Sequence, residues 1–362
     1  MTPLVSILIP AYNAERWIGD TIRSALAQTW PRTEIIIVDD GSRDQTLRVA
    51  RQFASKNVSV VTQENQSASA ARNRAFELCQ GDYIQWLDAD DLLAPDKIAK
   101  QMGAAGEFEG KRTLFSSAWG YFIYRRNRAK FVPTPLWCDL APVDWLIRKI
   151  GQNLQMPPAT WLVSRELTQA AGLWDSRLSF DDDGEYFCRV ILASDAIRFV
   201  PEAKVFYRVS GFGSLSSMDL SDEKLASLFL SMQLHVDHVR SLEDSDRVRA
   251  ACLSYLQIRF IRFYPERVAL VKQLQQLAAT LRGRLEVPQL PWKYSWMRRI
   301  FGWTLTKRFR QYYNRSKSFL MRFFDKILFR LEGGNMAGRN RRFGANSAVS
   351  APRQLASPTA SR

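Results

Sequence analysis

Three aspartates lie within four positions at the end of a predicted buried strand, in the stretch YIQWLDADDL at residues 83–92. An ionised Asp is almost never left buried without a partner. We therefore expect Asp88, Asp90 and Asp91 where the strand reaches the surface and meets water, an arginine or a metal ion. Asp88 and Asp90, separated by Ala89, offer carboxylate oxygens to a hard divalent cation that can also bind diphosphate. Such a cation would neutralise charge on a leaving group.

Two sequence patterns alternate over about the first 100 residues. Short, continuous, β-branched runs are typical of parallel strands covered on both faces, and the segments between them have helix length. Strand, helix, strand repeated in this way predicts a doubly wound α/β domain, with a Rossmann-like, mostly parallel sheet flanked by helices. The predicted strands are residues 4–10, 34–40, 58–63 and 82–88.

Polar residues collect at the ends of these predicted strands. Tyr12 follows the first strand, Asp40 ends the second, and Asp88 begins the cluster after the fourth. Ligands of such sheets bind beyond the carboxyl ends of the strands. Aspartate is also a common helix cap, but two acidic clusters at one edge of one sheet favour a binding site.

Composition limits the class of protein and its partners. The formal net charge of +15 favours anionic partners, which include nucleic acid, phosphorylated metabolites and an acidic membrane face. Four widely separated cysteines without zinc-site spacing predict free thiols in a reducing compartment. No signal-peptide pattern opens the sequence, and no apolar run reaches the roughly 18 residues of a spanning helix. These features predict a cytoplasmic protein.

Four motifs together resemble one known family. They are SILIPAYN at 6–13, IIIVDDGSRDQT at 35–46, SASAARNRA at 67–75 and GDYIQWLDADD at 81–91. In their order, spacing and position at successive strand ends they resemble a family 2 glycosyltransferase with the GT-A fold, over residues 3 to about 210. The resemblance implies a nucleotide-sugar donor, expected to be UDP-linked, and a divalent cation, Mn²⁺ or Mg²⁺, as cofactor.

The same resemblance implies roles for individual residues. Asp40 would accept a hydrogen bond from the nucleotide base, Asp90 would coordinate the metal, and Asp88 would support the metal and the ribose. Arg72 would help to hold the nucleotide, although it could instead pair with an aspartate at the sheet edge. Ser67 stands where relatives usually carry Gly, so the geometry of the loop near the base stays open. The nucleotide-sugar-binding residues implied in this way are Pro10, Ala11, Tyr12, Asp40, Arg72, Asp88 and Ala89.

Sugar transfer with inversion also needs a base that takes the proton of the acceptor hydroxyl. The candidate lies in SFDDDGEYFCRV at residues 179–190. The resemblance assigns the role to Asp183, because relatives carry a Glu-Asp pair six residues before an arginine, here Arg189. Asp182 then stands in place of the Glu. The alternative is that the acids at 181–183 cap the following helix, since acids favour a helix N-terminus.

Residues 291–330 form a basic, aromatic segment. It contains eleven Lys or Arg residues, one acidic residue, Asp325, and twelve aromatic residues. An apolar helical face beside basic residues is typical of a helix that lies on an anionic membrane. Binding of single-stranded nucleic acid is a disfavoured alternative, and packing on the chain's own domain is another. We predict peripheral attachment to the inner face of the cell membrane. The predicted apolar face consists of Leu320, Phe323, Phe324, Ile327 and Leu331.

These patterns divide the chain into three parts. Residues 1–214 are predicted to form the GT-A domain, 215–332 a helical, basic, membrane-associating extension, and 333–362 a disordered tail. Arg208, near the end of the domain, leads into a Gly- and Ser-rich stretch that could fold over the diphosphate as a lid or be an ordinary surface loop.

The predicted function is inverting transfer of a sugar from a nucleotide-diphosphate sugar to a hydroxyl acceptor, in polysaccharide or glycolipid assembly. Its expected partners are the nucleotide-sugar donor, a glycan or lipid-linked acceptor and an anionic membrane surface. Two alternatives remain open from the sequence. A nucleotidyltransferase would share the sheet and the acids but would not need a base near residue 183. A non-catalytic scaffold in a polysaccharide assembly would keep the nucleotide pocket for binding alone.

Overall fold

The chain forms nine strands and eleven α-helices within residues 2–107, 112–210 and 221–333, the part that the computed structural model describes. The strands are β1 (Val5–Ala11), β2 (Thr33–Asp39), β3 (Val58–Thr62), β4 (Tyr83–Trp86), β5 (Leu92–Leu93), β6 (Thr113–Phe122), β7 (Lys130–Phe131), β8 (Val163–Ser164) and β9 (Ala196–Arg208). The helices are α1 (Ile18–Leu26), α2 (Thr46–Arg51), α3 (Ala68–Leu78), α4 (Lys97–Glu107), α5 (Pro142–Gly151), α6 (Arg165–Ala171), α7 (Asp182–Ala193), α8 (Asp222–Leu242), α9 (Asp246–Phe260), α10 (Val268–Thr280) and α11 (Ser295–Leu331).

Five strands form the central sheet, in the order β3, β2, β1, β4, β8. The first four of these run parallel, and β8 joins antiparallel at the edge. Every residue of β1 is buried, as are the last five of β2. Both faces of the sheet are covered, which explains why these strands are continuous apolar runs rather than alternating ones. The predicted α/β architecture with a mostly parallel sheet is confirmed.

A second sheet has the strand order β5, β9, β6, β7. Its two long strands, β6 and β9, run parallel, with a shift of register between Ser117 and Ala118. The short strand β5 directly follows the acidic cluster and pairs antiparallel with β9, with Leu92 opposite Phe206. This pairing brings Arg208, the last residue of β9, next to the acids that follow β4.

The helices α8, α9 and α10 contribute to the same hydrophobic core as the central sheet. Val239 of α8, Leu256 of α9 and Leu274 of α10 are fully buried, in one cluster with Leu8 of β1 and Trp86 of β4. The predicted boundary at residue 214 therefore does not coincide with a gap in the core, and the three-part division stays a prediction. Residues 334–362 of the predicted tail lie outside the described residues. The cysteines are free thiols, as predicted: Cys79, Cys138, Cys188 and Cys252.

The last helix, α11, packs on the rest of the chain through polar side chains and aromatic rings, among them Trp303, which lies 5.5 Å from the ring of Tyr264. The Asp325 carboxylate accepts the backbone N–H of Tyr124 at 2.9 Å and pairs with Nε of Arg125 at 2.7 Å. The buried ring of Phe329 lies 6.1 Å from the ring of Tyr124. Earlier in the helix, the chain changes direction at Gly302, whose φ of 75° departs from helical geometry.

The predicted apolar face of α11 points away from the domain. Its five side chains, from Leu320 to Leu331, are each 38% exposed or more. The alternative that the helix packs on its own domain is thus realised, through contacts that include Asp325 and Phe329 but not through the predicted apolar face. None of the described helices is both long enough and apolar enough to span a membrane.

Candidate active site

The two acidic clusters and Tyr12 lie at one edge of the central sheet. Parallel pairing places Ala11 opposite Asp39 and Leu8 opposite Trp86, so the ends of β1, β2 and β4 meet at this edge, as predicted. The side chain of Tyr12 is 47% exposed there. The other predicted pocket residues at these strand ends are Pro10 and Ala11, which are buried, and Ala89, which is partly buried.

Asp40 is buried and holds the loop that leads into α3. Its carboxylate accepts hydrogen bonds from the side-chain amides of Gln63 (2.8 Å) and Asn65 (3.1 Å). It also accepts the backbone N–H groups of Gln66 (2.9 Å) and Ser67 (3.0 Å). A carboxylate has about four acceptor sites, so this loop already occupies them. A nucleotide base would have to share or replace one of these bonds, and base binding by Asp40 stays a prediction.

Two residues beside this loop have backbone angles that favour glycine. Gly41 has a φ of 70°, and a Cβ atom there would lie 2.9 Å from the backbone N of Asn65. Ser67 has a φ of 102°, where residues other than glycine are strained. The Ser67 hydroxyl accepts the N–H of Ala70 at 3.4 Å and so caps α3. The position at which the resemblance implies Gly therefore keeps a glycine-type backbone, although serine occupies it.

Arg72 is buried in α3 and joins two parts of the predicted site. Its guanidinium pairs with Asp88 after β4 at 2.8 Å and with Asp182 at the start of α7 at 2.7 Å. The guanidinium also lies 4.3 Å from the ring centroid of Trp174. Burial would lower the pKa of Arg72, but Asp88 and Asp182 raise it above its usual value. The alternative in which Arg72 pairs with an aspartate at the sheet edge is therefore the geometry seen here, and nucleotide binding by Arg72 stays a prediction.

Asp183 lies in the first turn of α7, next to the ion pair of Asp182 with Arg72. Burial and the negative charges of Asp182 and Asp181 raise the pKa of Asp183 to about 7. A carboxyl group that titrates near neutral pH is suited to accept a proton in catalysis. The residue before the helix, Asp181, makes no side-chain hydrogen bond that caps α7. Asp182 and Asp183 lie in the first turn, where acids are favoured by the helix dipole, so the alternative role at the helix N-terminus stays open for them.

The carboxylate oxygens of Asp88 and Asp90 at the end of β4 are ligands that suit a hard cation. Burial and the charge of Asp88 raise the pKa of Asp90 to about 6, and a bound cation would relieve this repulsion. Asp91 has a different role, because its Oδ1 accepts the backbone N–H of Arg208 at 2.8 Å. Among the described residues, no group of three or more His, Cys, Asp or Glu side chains is arranged to hold a metal ion. Further ligands would have to come from the donor diphosphate or water.

Arg208 fixes the acidic loop from the side of the second sheet. Its Nε donates to the backbone carbonyl of Asp90 at 2.8 Å. Its guanidinium is enclosed by the rings of Trp17 (4.3 Å to the centroid) and Phe122 (4.5 Å). The sequence indicated Arg208 only as the start of a lid, and residues 211–220 of that stretch lie outside the described residues. Its contacts with two separate segments require the tertiary structure.

Tyr207 is a site residue that the sequence analysis missed. Its ring packs edge-on against Trp119, at a centroid distance of 5.8 Å. Burial raises the pKa of its phenol, as do the nearby acids, which indicates that the phenol lies near both the acidic loop and the candidate base. No spacing in the strand pattern at 203–210 distinguishes this residue. The acids that act on it are Asp91, Asp90, Asp88 and Asp183.

Comparisons with known proteins agree with the fold described above. The crystal structure of S. aureus TarS 1-349 in complex with UDP-GlcNAc matches with a TM-score of 0.62 and 16% sequence identity, over 76% of this chain and 81% of that one. The fold is GT-A. Residues 6–126 match the family model described as Glycosyl transferase family 2. Residues 6–126 therefore share the sequence features of family 2 glycosyltransferases, and the resemblance seen in the motifs is confirmed.

Relatives with similar sequences share this domain. An uncharacterized glycosyltransferase of Haemophilus influenzae is 43% identical over 167 residues, which are 45% of this chain and 63% of the relative. The putative teichuronic acid biosynthesis glycosyltransferase TuaG of Bacillus subtilis is 40% identical over 139 residues, which are 37% of this chain and 54% of the relative. The chain thus spans between half and two thirds of the length of these two proteins.

Replacement of Ser67 by glycine tests the strained loop. Ser67→Gly should raise the free energy of unfolding by about 0.5–1 kcal/mol, because glycine removes the backbone strain and loses only a few tenths of a kcal/mol as a cap. Ser67→Ala should lower it by about 1 kcal/mol, because alanine keeps the strain and loses the cap. Urea denaturation of the three proteins measures both changes. A glycine variant no more stable than the wild type would show that Ser67 is unstrained.

Proposed function

We propose that the protein transfers a sugar from a nucleotide-diphosphate sugar, expected to be UDP-linked, to a hydroxyl acceptor with inversion at the anomeric carbon. The observation that carries this proposal is the arrangement around Arg72. One buried guanidinium pairs with Asp88, beside the candidate metal ligand Asp90, and with Asp182, beside the candidate base Asp183. A leaving-group site and a proton acceptor are the two groups that such a transfer needs.

The similar proteins support the nature of the substrates. The solved structure of TarS holds UDP-GlcNAc, which supports a UDP-linked donor here. The name of TuaG refers to teichuronic acid biosynthesis, which supports a glycan or lipid-linked acceptor in the assembly of a polysaccharide or glycolipid.

In the proposed reaction, Asp183 acts on the acceptor. Its carboxylate takes the proton of the acceptor hydroxyl while the hydroxyl oxygen bonds to the anomeric carbon of the donor sugar. The bond between that carbon and the diphosphate oxygen breaks, and the nucleotide diphosphate leaves with the bonding electron pair. Because burial and neighbouring acids raise the pKa of Asp183 to about 7, the carboxylate is basic enough to hold this proton near neutral pH.

Asp88 and Asp90 would hold a divalent cation, Mn²⁺ or Mg²⁺, at the other side of the site. That cation would neutralise negative charge on the leaving diphosphate. Arg208 keeps the backbone of Asp90 in place through its bond to the carbonyl oxygen. Arg72 keeps one oxygen of Asp88 occupied, so the orientation of that carboxylate is set before a donor binds.

We further propose that α11 attaches the enzyme peripherally to an anionic membrane on its cytoplasmic side. Residues 291–330 carry a net charge of 11 − 1 = +10, and each basic residue near such a surface contributes about 1 kcal/mol. The outward side chains include Phe323 and Phe324, which are 50% and 60% exposed. Because Asp325 faces the domain, the helix can keep its own packing while its apolar side enters the lipid interface.

Removal of the metal ligand should weaken nucleotide binding. Calorimetry should show that Mn²⁺ strengthens binding of UDP by about tenfold or more, and that Asp90→Ala or excess chelator removes this gain, because the diphosphate loses its cation. Asp96→Ala is the matched control, since Asp96 pairs with Lys100 outside the site. Equal UDP affinity with and without chelator in the wild type would refute the role of Asp90.

Removal of the base should stop transfer while donor binding persists. Asp183→Asn cannot accept a proton, so UDP release from the best substrate of a UDP-sugar panel should fall by about a hundredfold or more, with UDP affinity in Mn²⁺ within about twofold. In the wild type, kcat/KM should rise with pH through about 7, as Asp183 loses its proton.

Asp195→Asn is the control for this variant, since Asp195 is exposed just after the same helix. A rate near that of the wild type in Asp183→Asn would place the base elsewhere. UDP binding by the wild type without turnover of any UDP-sugar would favour the non-catalytic scaffold.

Membrane binding should depend on both charge and the apolar side of α11. The full chain should sediment with vesicles that contain phosphatidylserine and less with neutral ones, and salt should weaken binding because it screens the charges. The double substitution Phe323→Ser and Phe324→Ser should reduce binding to the vesicles, although the net charge of +10 on residues 291–330 is unchanged. The control is Leu173→Ser, because Leu173 is similarly exposed but belongs to the catalytic domain. Binding to single-stranded oligonucleotide instead of vesicles would contradict the proposal.

A further inference from the structure

The segment before the candidate base is held by the helix α8. The hydroxyl of Ser227 accepts the backbone N–H groups of Ser179 (2.9 Å) and Phe180 (3.0 Å), and it donates to the carbonyl of Phe180 at 3.1 Å. One helical turn later, the hydroxyl of Ser231 donates to the carboxylate of Asp181 at 2.7 Å. Both serines are buried. Two side chains on one face of α8 therefore fix three consecutive residues that lead into α7.

Helix α9 holds the same aspartate from a second direction. The hydroxyl of Tyr255 and a terminal nitrogen of Arg259 each lie 3.4 Å from a carboxylate oxygen of Asp181. Burial would raise the pKa of Asp181, but Arg259, His235 and other neighbours hold it at about 2. Asp181 is therefore ionised at neutral pH and remains paired with its partners from α8 and α9.

The backbone of Asp181 is adapted to these contacts rather than to helix capping. Its φ of 63° lies in the left-handed region, which Asp tolerates better than most residues. Its side chain does not cap α7, because it is directed to the two later helices. A strained conformation persists only where surrounding contacts over-determine it, and here those contacts come from α8 and α9.

We propose that Asp181 is a positioning residue for the candidate base: held by α8 and α9, it fixes the peptide from which Asp183 projects. Ser231 of α8 and Arg259 of α9 then help to position the candidate base, and these helices do not serve only as an extension. This inference rests on the proposed function, in which Asp183 takes the proton of the acceptor.

The charged groups around Asp183 set its pKa, so a change at Asp181 can be followed through the titration of Asp183. On its own segment, Asp181 and Asp182 raise its pKa, while Lys149 of α5 and Arg72 of α3 lower it. Loss of the charge at Asp181 should therefore lower the pKa of Asp183. The other groups that interact electrostatically with Asp183 are Arg259 of α9 and Tyr207 of β9.

Three variants of the full chain test the proposal. Asp181→Asn removes the charge and keeps the shape. Ser231→Ala removes the hydroxyl that donates to Asp181 and that also lies 3.2 Å from Nδ1 of His235, without a change of charge. Ser241→Ala is the matched control, because the hydroxyl of Ser241 bonds to the carbonyl of His238 at the exposed end of the same helix. NMR of protein labelled with ¹³C at the aspartate carboxyl groups follows the titration of Asp183, whose signal is assigned by its loss in Asp183→Asn.

Asp181→Asn should move the titration of Asp183, and the acid limb of kcat/KM, to lower pH. Ser231→Ala should alter the Asp183 signal. Both should lower kcat for UDP release by about tenfold, with UDP affinity in Mn²⁺ within about twofold, because the base is displaced while the donor site is untouched. In Asp181→Asn the lower pKa of Asp183 adds to this loss. Ser241→Ala should match the wild type in every measurement. A purely structural role would reduce the folded fraction of Ser231→Ala, while its folded molecules would keep the Asp183 signal and kcat of the wild type.

An Asp183 titration in Asp181→Asn equal to that of the wild type would overturn the proposal. If Asp181→Asn does not fold, Ser231→Ala provides the test instead. An Asp183 signal and a kcat that are both unchanged in Ser231→Ala would overturn the proposal. The carboxyl titration needs no turnover. Failure of the proposed function, seen as no reaction with any UDP-sugar, is therefore distinguished from failure of the positioning role.

Discussion

The guanidinium of Arg72 bridges Asp88 and Asp182, two carboxylates from segments nearly a hundred residues apart. The side chains of Arg72 and Asp182 are buried, while that of Asp88 is 28% exposed. In a buried pair, the loss of one partner costs about 3–5 kcal/mol, because it leaves an unpaired charge away from water. The pairing therefore ties the loop after β4 to the start of α7. The candidate metal ligand and the candidate base each stand beside one of its carboxylates, so this cation helps to set the distance between them.

The acids that remain outside this pairing repel one another, and the repulsion has a chemical use. Asp90 and Asp183 both have raised pKa values because they are buried near other carboxylates. At the end of β4 the excess negative charge suits a divalent cation, whereas at the start of α7 it makes a carboxylate more basic. Arg208 and Arg72 keep the acids close in spite of this repulsion. The same electrostatic effect thus supports two different roles at two ends of the site.

The region after residue 221 contributes in two physically different ways. The helices α8 to α10 bury apolar side chains in the common core, and α8 and α9 place polar groups against the segment before Asp183. Helix α11 has the opposite arrangement, because its acid faces the domain while large apolar side chains remain exposed. Exposed apolar area of this extent, with basic residues among it, is typical of an interaction surface rather than of a solvated helix.

The sequence by itself determined the parts of this protein that depend on local patterns. Continuous apolar runs predicted the parallel strands, and motifs at the strand ends predicted the GT-A fold and the edge at which the acids meet, because parallel strands share the direction of their carboxyl ends. The sequence left the loop geometry at Ser67 open, and the structure shows a glycine-type backbone there. Only the tertiary structure decided which partner each charged group takes. Arg72 binds two acids, Asp40 binds a loop, and Asp181 binds helices far along the chain. Contacts between segments distant in sequence depend on how the helices pack around the sheet, and no local spacing records that packing.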